Sequence, residues 1–170
     1  MNKKLDETPV VPVVVVFSFG SKGTKGNKSL AFAGAIEANN GGAIVIITQK
    51  DIPRIEGVHF CYCDLELERD WHSTLWVATS AREICEYCEF SKKAIVVAAP
   101  MQLKRCVRDL KRNGFEVMKM VSPKLESGGS WYEKKSLLPW TRSWWRWWSR
   151  EIILRLLPWG VYKRLTLREK

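Results

Sequence analysis

Long hydrophobic runs are absent from this 170-residue chain. No stretch reaches the roughly 18 apolar residues that a membrane-spanning helix requires. A secretory signal peptide is not indicated either, because Asp6 and Glu7 separate Met1 from the first apolar segment. The expected location is therefore the cytoplasm, where cysteines stay reduced.

The sequence also contains few prolines and few histidines. Seven prolines, with 46% hydrophobic and 27% charged residues, exclude a collagen-like or disordered chain. The length suits one domain with a full core, which we expect to span residues 1–170, with a body at 9–121 and a closing helix at 137–160. The two histidines, His59 and His72, belong to no motif of metal ligands or catalytic bases.

Cysteines occur without the spacing of a metal site. Cys85 and Cys88 form a lone CxxC pair, and only one residue separates Cys61 from Cys63, which does not provide the second pair that a zinc site needs. The fifth cysteine, Cys106, has no cysteine close to it in sequence. We therefore expect no metal site, and thiols that are packed in the fold.

Apolar runs of strand length alternate with helical patterns along the chain. The first run, Val10 to Gly20, is rich in valine and ends in glycine, as is typical of a strand buried on both faces. Further strands are predicted at 43–48, 58–66, 94–99 and 115–121, and helices at 30–42, 73–90, 100–112 and 137–160. The alternation predicts an α/β, three-layer Rossmann-like domain with a mainly parallel sheet of about five strands and a tryptophan-rich C-terminal helix.

Such domains bind ligands at the carboxyl ends of their strands, where the strand order reverses. The glycine and lysine segment at 21–29, predicted as a loop, is suited to hold an anion on its backbone N–H groups. Arg105 can grip a phosphate or carboxylate, and Thr74 can contact a ligand or cap its helix. Ordinary solvated loops and a solvated basic helix face are the alternatives.

The residues predicted to bind an anionic or nucleotide-like small molecule are Gly20, Ser21, Lys22, Thr48, Gln49, Glu68, Thr74, Gln102, Lys104 and Arg105.

Several motifs occur in an order and spacing similar to those of the SanA/YdcF/ElyC-like family, a domain family of unknown function. The similar positions extend over nearly the whole chain and are Gly57-Val58, Glu68, Thr74, Arg105, Gly114 to Val117, Leu138-Pro139 and Arg150-Glu151. The resemblance implies a YdcF-like domain with a role in cell-envelope processes.

The sequence departs from the family pattern at polar positions. Gln102 stands where the family has histidine, Ser73 where it has asparagine, and Gln49-Lys50 where it has a glycine pair. The connection after the second strand is also too short for the helix that the family carries there. Because an amide cannot act as a general acid or base, Gln102 cannot replace the family histidine in that role; the catalytic residues stay unknown, and whether the chain is an enzyme stays open.

The last forty residues carry most of the charge asymmetry. They hold a net +7 of the overall +10, and seven of the nine tryptophans. On a helical wheel one broad apolar face, predicted to pack on the sheet, contains Trp144, Trp145, Trp148, Ile152 and Leu156. A second stripe, formed by Trp147 and Leu154, is predicted to face outward.

Tryptophan beside arginine is typical of segments that lie at a membrane interface. The same chemistry can stack bases, but the resemblance to envelope proteins favours contact with the inner face of a membrane over nucleic acid. A core helix with an oligomer contact is the remaining alternative, and the sequence predicts no oligomeric state. The predicted membrane or partner contacts are Trp140, Trp144, Arg146, Trp147, Arg150 and Trp159.

Two functions therefore follow from the sequence. The first is a small-molecule-binding domain of Rossmann type, and the second is a noncatalytic peripheral membrane or interaction factor that uses its basic, tryptophan-rich tail.

Overall fold

A computed structural model describes residues 11–56, 61–65, 73–125 and 129–167. Its core is one five-stranded sheet in the order β3-β2-β1-β4-β5, in which every pair of neighbours is parallel. The strands are β1 (Val13–Val16), β2 (Val45–Gln49), β3 (Cys61–Leu65), β4 (Lys93–Val97) and β5 (Glu116–Val121). The predicted α/β Rossmann-like fold is confirmed.

The valine run forms the central strand because both of its faces are covered. All four residues of β1 are buried, and β1 lies between β2 and β4. Val13 and Val15 belong to a cluster on one face of the sheet, whereas Val14 and Val16 belong to a cluster on the other. An unbroken run of β-branched residues is what a strand buried on both faces requires.

Helices cover both faces of the sheet. They are α1 (Lys25–Gly41), α2 (Thr74–Tyr87), α3 (Pro100–Arg112), α4 (Trp144–Leu156) and α5 (Trp159–Leu167). Apolar side chains of α2 and α3 pack in the cluster that contains Val15, and those of α1 pack in the cluster that contains Val16. A 3-10 turn at Pro139–Thr141 leads into α4.

The first helix begins within the segment that the sequence predicts as a loop. Thr24 caps α1 by accepting a hydrogen bond from the Asn27 backbone N–H, so that residues 25–29 are helical rather than a glycine loop. Two glycines of α1 permit close packing: a Cβ on Gly26 would lie 3.0 Å from Trp131 Cε3, and one on Gly34 would lie 2.7 Å from Val16 Cγ2. Tertiary packing therefore outweighs the poor helix propensity of glycine.

The closing segment forms two helices rather than one. In place of the predicted helix at 137–160, α4 ends before Pro158 and α5 begins directly after it, where the Tyr162 backbone N–H donates to the Pro158 carbonyl. Proline is compatible with the start of a helix, where its missing N–H costs no internal hydrogen bond. The connection after β2 contains no helix in its described part, residues 50–56.

The predicted orientation of α4 is wrong. Trp147 is buried, with 2% of its surface exposed, against the cluster on the α1 face. The face that the helical wheel predicts to pack on the sheet points outward instead, since Trp144, Trp145, Ile152 and Leu156 are exposed and only Trp148 is half-buried. Four of the five predicted core residues therefore lie on the outer face, and only Trp148 packs against the body of the protein.

Candidate functional site

The strand order reverses between β1 and β4. β1 continues to β2 on one side, whereas β4 lies on its other side. The carboxyl ends of these two strands diverge into the segments that start with Phe17 and Ala98, and ligands of doubly wound sheets bind in the crevice formed at such a point. In this chain α4 and α5 lie over that crevice.

The resulting cleft encloses a cavity of about 40 Å³. Five of the predicted ligand-binding residues line it, namely Gly20, Gln49, Thr74, Gln102 and Arg105. Three of the predicted membrane contacts line it as well, namely Trp140, Trp147 and Arg150. Drug-sized ligands occupy pockets of about 300 Å³ or more, so this cavity suits a few atoms rather than a nucleotide.

Two glutamines fix the backbone at the end of β1. Gln49 accepts a hydrogen bond from the Ser18 N–H at 2.8 Å, and Gln102 donates to the Ser18 carbonyl at 2.9 Å. Both side chains are buried, and each satisfies a backbone group that no sheet partner reaches. Their role in this structure is to shape the cleft floor.

Arg105 forms a buried ion pair with Glu151 of α4. Its Nη1 lies 2.6 Å from Glu151 Oε2, with 6% of the arginine side chain and 1% of the glutamate side chain exposed. The second carboxylate oxygen of Glu151 accepts from Arg155 Nε at 3.1 Å. The anion that the sequence predicts at Arg105 is therefore supplied by the chain itself.

Two donors in the cleft remain without a hydrogen bond. Arg105 Nε and Trp147 Nε1 are buried and have no partner among the described residues. The Arg105 guanidinium lies over the Trp147 ring, 5.3 Å from its centroid. Buried donors are normally satisfied by protein, water or a ligand. These two N–H groups can therefore donate hydrogen bonds to an acceptor in the cavity.

A second buried carboxylate, Asp109, holds α5 to the body. It accepts hydrogen bonds from Thr74 Oγ1 at 2.6 Å and from the Tyr162 hydroxyl at 2.8 Å, and Arg108 Nε donates to its other oxygen at 2.9 Å. Burial, together with the negative charge of Asp109, raises the pKa of Tyr162 to about 12. The phenol therefore remains a donor throughout the neutral range.

Tyr162→Phe should lower the free energy of unfolding by about 1.5–3 kcal/mol at pH 8, because a donor to a buried carboxylate is lost. The folded-state pKa of about 12 exceeds the ordinary value of 10, so protonated Tyr162 stabilises the fold fully below pH 10 and this contribution is lost as pH rises towards 12. Urea unfolding of both proteins at pH 8, 10 and 11 should show the difference between them shrinking. A difference that stays constant over this range would contradict the assignment.

The start of α1 is occupied by another internal carboxylate. The Lys25 N–H donates to Glu133 Oε1 at 3.1 Å, and the Phe19 N–H donates to Asn27 Oδ1 at 2.8 Å. The backbone N–H groups that the sequence suggests for an anion are therefore partly used within the chain. Glu133 and Glu151 are the only acidic residues in the described part of the tail, 129–167, and both lie where an anion is predicted.

The other predicted ligand-binding residues do not line the cavity. Lys22 and Lys104 are exposed, Ser21 is half-buried, and Thr48 is fully buried in β2. Glu68 lies outside the described residues. The structure thus brings half of the predicted ligand set together.

Sequence reasoning missed the partners that complete the site. Asp109 is hidden within the basic pattern of α3, and Tyr162 lies in a helix that the sequence pattern does not predict. Glu151 has a detectable signal, since it is the only acidic residue among eight basic ones in 134–167. A lone acid in a basic helix is a candidate for burial beside one of the basic groups.

The cysteines divide into buried and exposed groups. Cys85 and Cys106 are buried as expected, whereas Cys61 and Cys88 are exposed and all five are free thiols. Burial raises the pKa of Cys63 and of Cys85 to about 11. Within the described ranges no group of three or more histidine, cysteine or acidic residues could hold a metal ion.

The predicted membrane contacts have different environments. Trp144 and Arg146 are exposed, whereas Trp140, Arg150 and Trp159 are half-buried and Trp147 is buried. The Arg150 guanidinium lies 4.6 Å from the Trp140 ring centroid, and that of Arg112 lies 3.9 Å from the Trp159 ring centroid. No helix in the described part of the chain is long and apolar enough to cross a membrane.

Comparison of the chain with protein-family models, with curated proteins and with solved structures gave no match.

Proposed function

We propose that the chain is a peripheral factor that binds an anionic membrane surface through the outer face of α4. The observation that carries the proposal is a broad, exposed apolar face of α4 with a basic residue near each edge and no exposed acidic residue within 134–167. The outer face consists of Trp144, Trp145, Ile152, Ile153 and Leu156, all of them exposed.

The arrangement around α4 is that of an interfacial helix. At 100° per residue the outer face covers roughly half of the circumference, with Arg146 just beyond one edge and Arg155 just inside the other. Trp144 is 63% exposed and Trp145 is 59% exposed, and exposed tryptophan rings suit the headgroup region of a membrane. Arginines close to them suit anionic lipid. The face is opposite the buried side that carries Trp147 and Glu151.

Charge favours a lipid surface over a second copy of the chain. Between residues 134 and 167 the only acidic residue is Glu151, which is buried. Self-association through the outer face would therefore bring arginines together without a carboxylate to neutralise them. Aliphatic Ile152, Ile153 and Leu156 also offer nothing to the bases of a nucleic acid, which stack on aromatic rings.

The wild type should bind phosphatidylcholine vesicles that contain phosphatidylserine more strongly than pure phosphatidylcholine vesicles. Binding should shift tryptophan emission to the blue and should weaken as salt is added, because the basic groups are screened. Arg146→Gln should lower the partition coefficient about fivefold, as expected for the roughly 1 kcal/mol that each basic group contributes near such a surface. Vesicle co-sedimentation measures the lipid preference, the salt dependence and the effect of Arg146→Gln, and fluorescence spectroscopy measures the shift in emission.

The double variant Trp144→Ser, Trp145→Ser tests the apolar part of the face. It should lose most vesicle binding and retain its thermal unfolding midpoint, because neither ring is buried. Tyr87→Ser is the matched control, since Tyr87 is an exposed aromatic residue at the end of α2, away from α4. Equal binding of both variants, binding to neutral vesicles alone, or a dimer that the double variant abolishes would refute the proposal.

A further inference from the structure

The buried guanidinium of Arg105 lies at the place where sheets of this topology bind ligands. Arg105 is in the second turn of α3, which starts at the carboxyl end of β4, next to the point where the strand order reverses. Its guanidinium is nearly fully removed from water. A buried cation at such a place requires an anion, because an unpaired charge in the interior is strongly unfavourable.

Glu151 meets this requirement from a weakly anchored helix. Of the thirteen residues in α4, only Trp147 and Glu151 are buried. Both side chains reach into the cleft region, and α4 presents its larger apolar face to the outside. The helix is therefore attached mainly through these two buried side chains, with Trp148 and Leu154 half-buried beside them, rather than through its most hydrophobic surface.

The cleft retains donors that Glu151 does not use. Arg105 Nε and Trp147 Nε1 both belong to residues that line the cavity, and neither has a partner in the described chain. A guanidinium presents its donors as a planar fork that matches a carboxylate or phosphate group. Glu151 contacts Arg105 through Nη1, whereas the Nε–H, which points to the opposite edge of the guanidinium, stays free to donate to an oxygen atom of a ligand.

We propose that Arg105 is the receptor for a small oxyanion, a carboxylate or phosphate group, and that Glu151 occupies it as an internal substitute. The ligand binds by replacing the Glu151 carboxylate at Arg105, with Trp147 Nε1 as a further donor. The cavity of about 40 Å³ admits the charged group itself, and a larger molecule requires α4 to move outward. This site is independent of the outer face of α4 and of its binding to lipid.

Removal of the internal carboxylate gives the most direct test. In Glu151→Ala, acetate and inorganic phosphate should each raise the thermal unfolding midpoint in a saturable manner, since they bind only the folded state. Their dissociation constants should be at least tenfold lower than those of the wild type. The same ionic strength supplied as sodium chloride provides the control for screening.

The double variant Arg105→Gln, Glu151→Ala separates a site at Arg105 from general salt effects. It should show no saturable response to either anion. An equal response of the single and double variants, or no response of the single variant, would overturn the proposal. Glu151→Gln preserves the side-chain shape. If the alanine variant does not fold, isothermal titration of Glu151→Gln with phosphate tests the same site.

Displacement of Glu151 in the wild type has a separate readout. Saturating phosphate should accelerate amide hydrogen exchange in residues 144–156, because α4 loses one of its two buried anchors. Exchange in α1 should not change and serves as the internal reference. Phosphate that binds while exchange in α4 is unchanged or slowed would contradict the replacement of Glu151.

Discussion

Trp147→Ala should lower the free energy of unfolding by about 3–5 kcal/mol, the usual cost of removing a large aromatic side chain from a core. Trp147 is 2% exposed, and its ring centroid lies 4.9 Å from that of Phe19. Truncation leaves a cavity beside Arg105, whose guanidinium also loses the contact with the ring. Urea unfolding at neutral pH, followed by far-ultraviolet circular dichroism, measures the loss.

Trp145→Ala is the matched control for this prediction. Trp145 is two positions away on the same helix and is 59% exposed, so its removal should change stability by less than about 0.5 kcal/mol. Similar losses in the two variants, or a larger loss for Trp145, would show that α4 is rotated relative to the described orientation.

The parallel sheet could be predicted because the hydrophobic pattern of each segment agrees with its place in the fold. The valine run in β1 needs cover on both faces, and β1, β3 and β4 are each followed by a helix whose length permits a parallel crossover. Each of these features is a property of a continuous segment. The order of the strands and the reversal beside β1 could not be predicted in this way, because right-handed connections permit several strand orders.

The orientation of α4 could not be predicted because it depends on a pairing across 46 residues. A helical wheel ranks the two faces of α4 by hydrophobicity, and the face with Trp144 and Ile152 is the larger. The buried face is instead fixed by Glu151, whose partner Arg105 lies in another helix. Two charged residues that are each costly to bury alone become compatible with the interior only together.

The cleft, like the orientation of α4, could be predicted only in part, because it depends on contacts between residues that are distant in sequence. Topology predicts Arg105, Gln102 and Thr74 at the strand ends, and the structure places all three around the cavity. What the sequence does not reveal is that their side chains bond to Glu151, Ser18 and Asp109 of the same chain. Predicting a site from strand ends locates the residues but does not tell whether the chain fills the site itself.

The ion pair at the centre of the cleft should show strong coupling in a double-mutant cycle. Arg105→Met leaves Glu151 buried with only Arg155 beside it, and Glu151→Leu leaves the Arg105 cation buried without its carboxylate. Each single change should lower the free energy of unfolding by about 3–5 kcal/mol, because it strands a charge in the interior.

The double variant Arg105→Met, Glu151→Leu should recover most of that loss and lie within about 1 kcal/mol of the wild type, since buried pairs are often replaced by apolar residues of similar volume at little cost. Urea unfolding of the four proteins at neutral pH gives the coupling energy. A pair near the surface supplies the reference: the cycle of Arg82→Met and Glu86→Leu on α2, whose side chains are 39% and 51% exposed, should give a coupling below about 0.5 kcal/mol. Additive losses at Arg105 and Glu151 would mean that α4 does not hold its carboxylate against the cleft in solution.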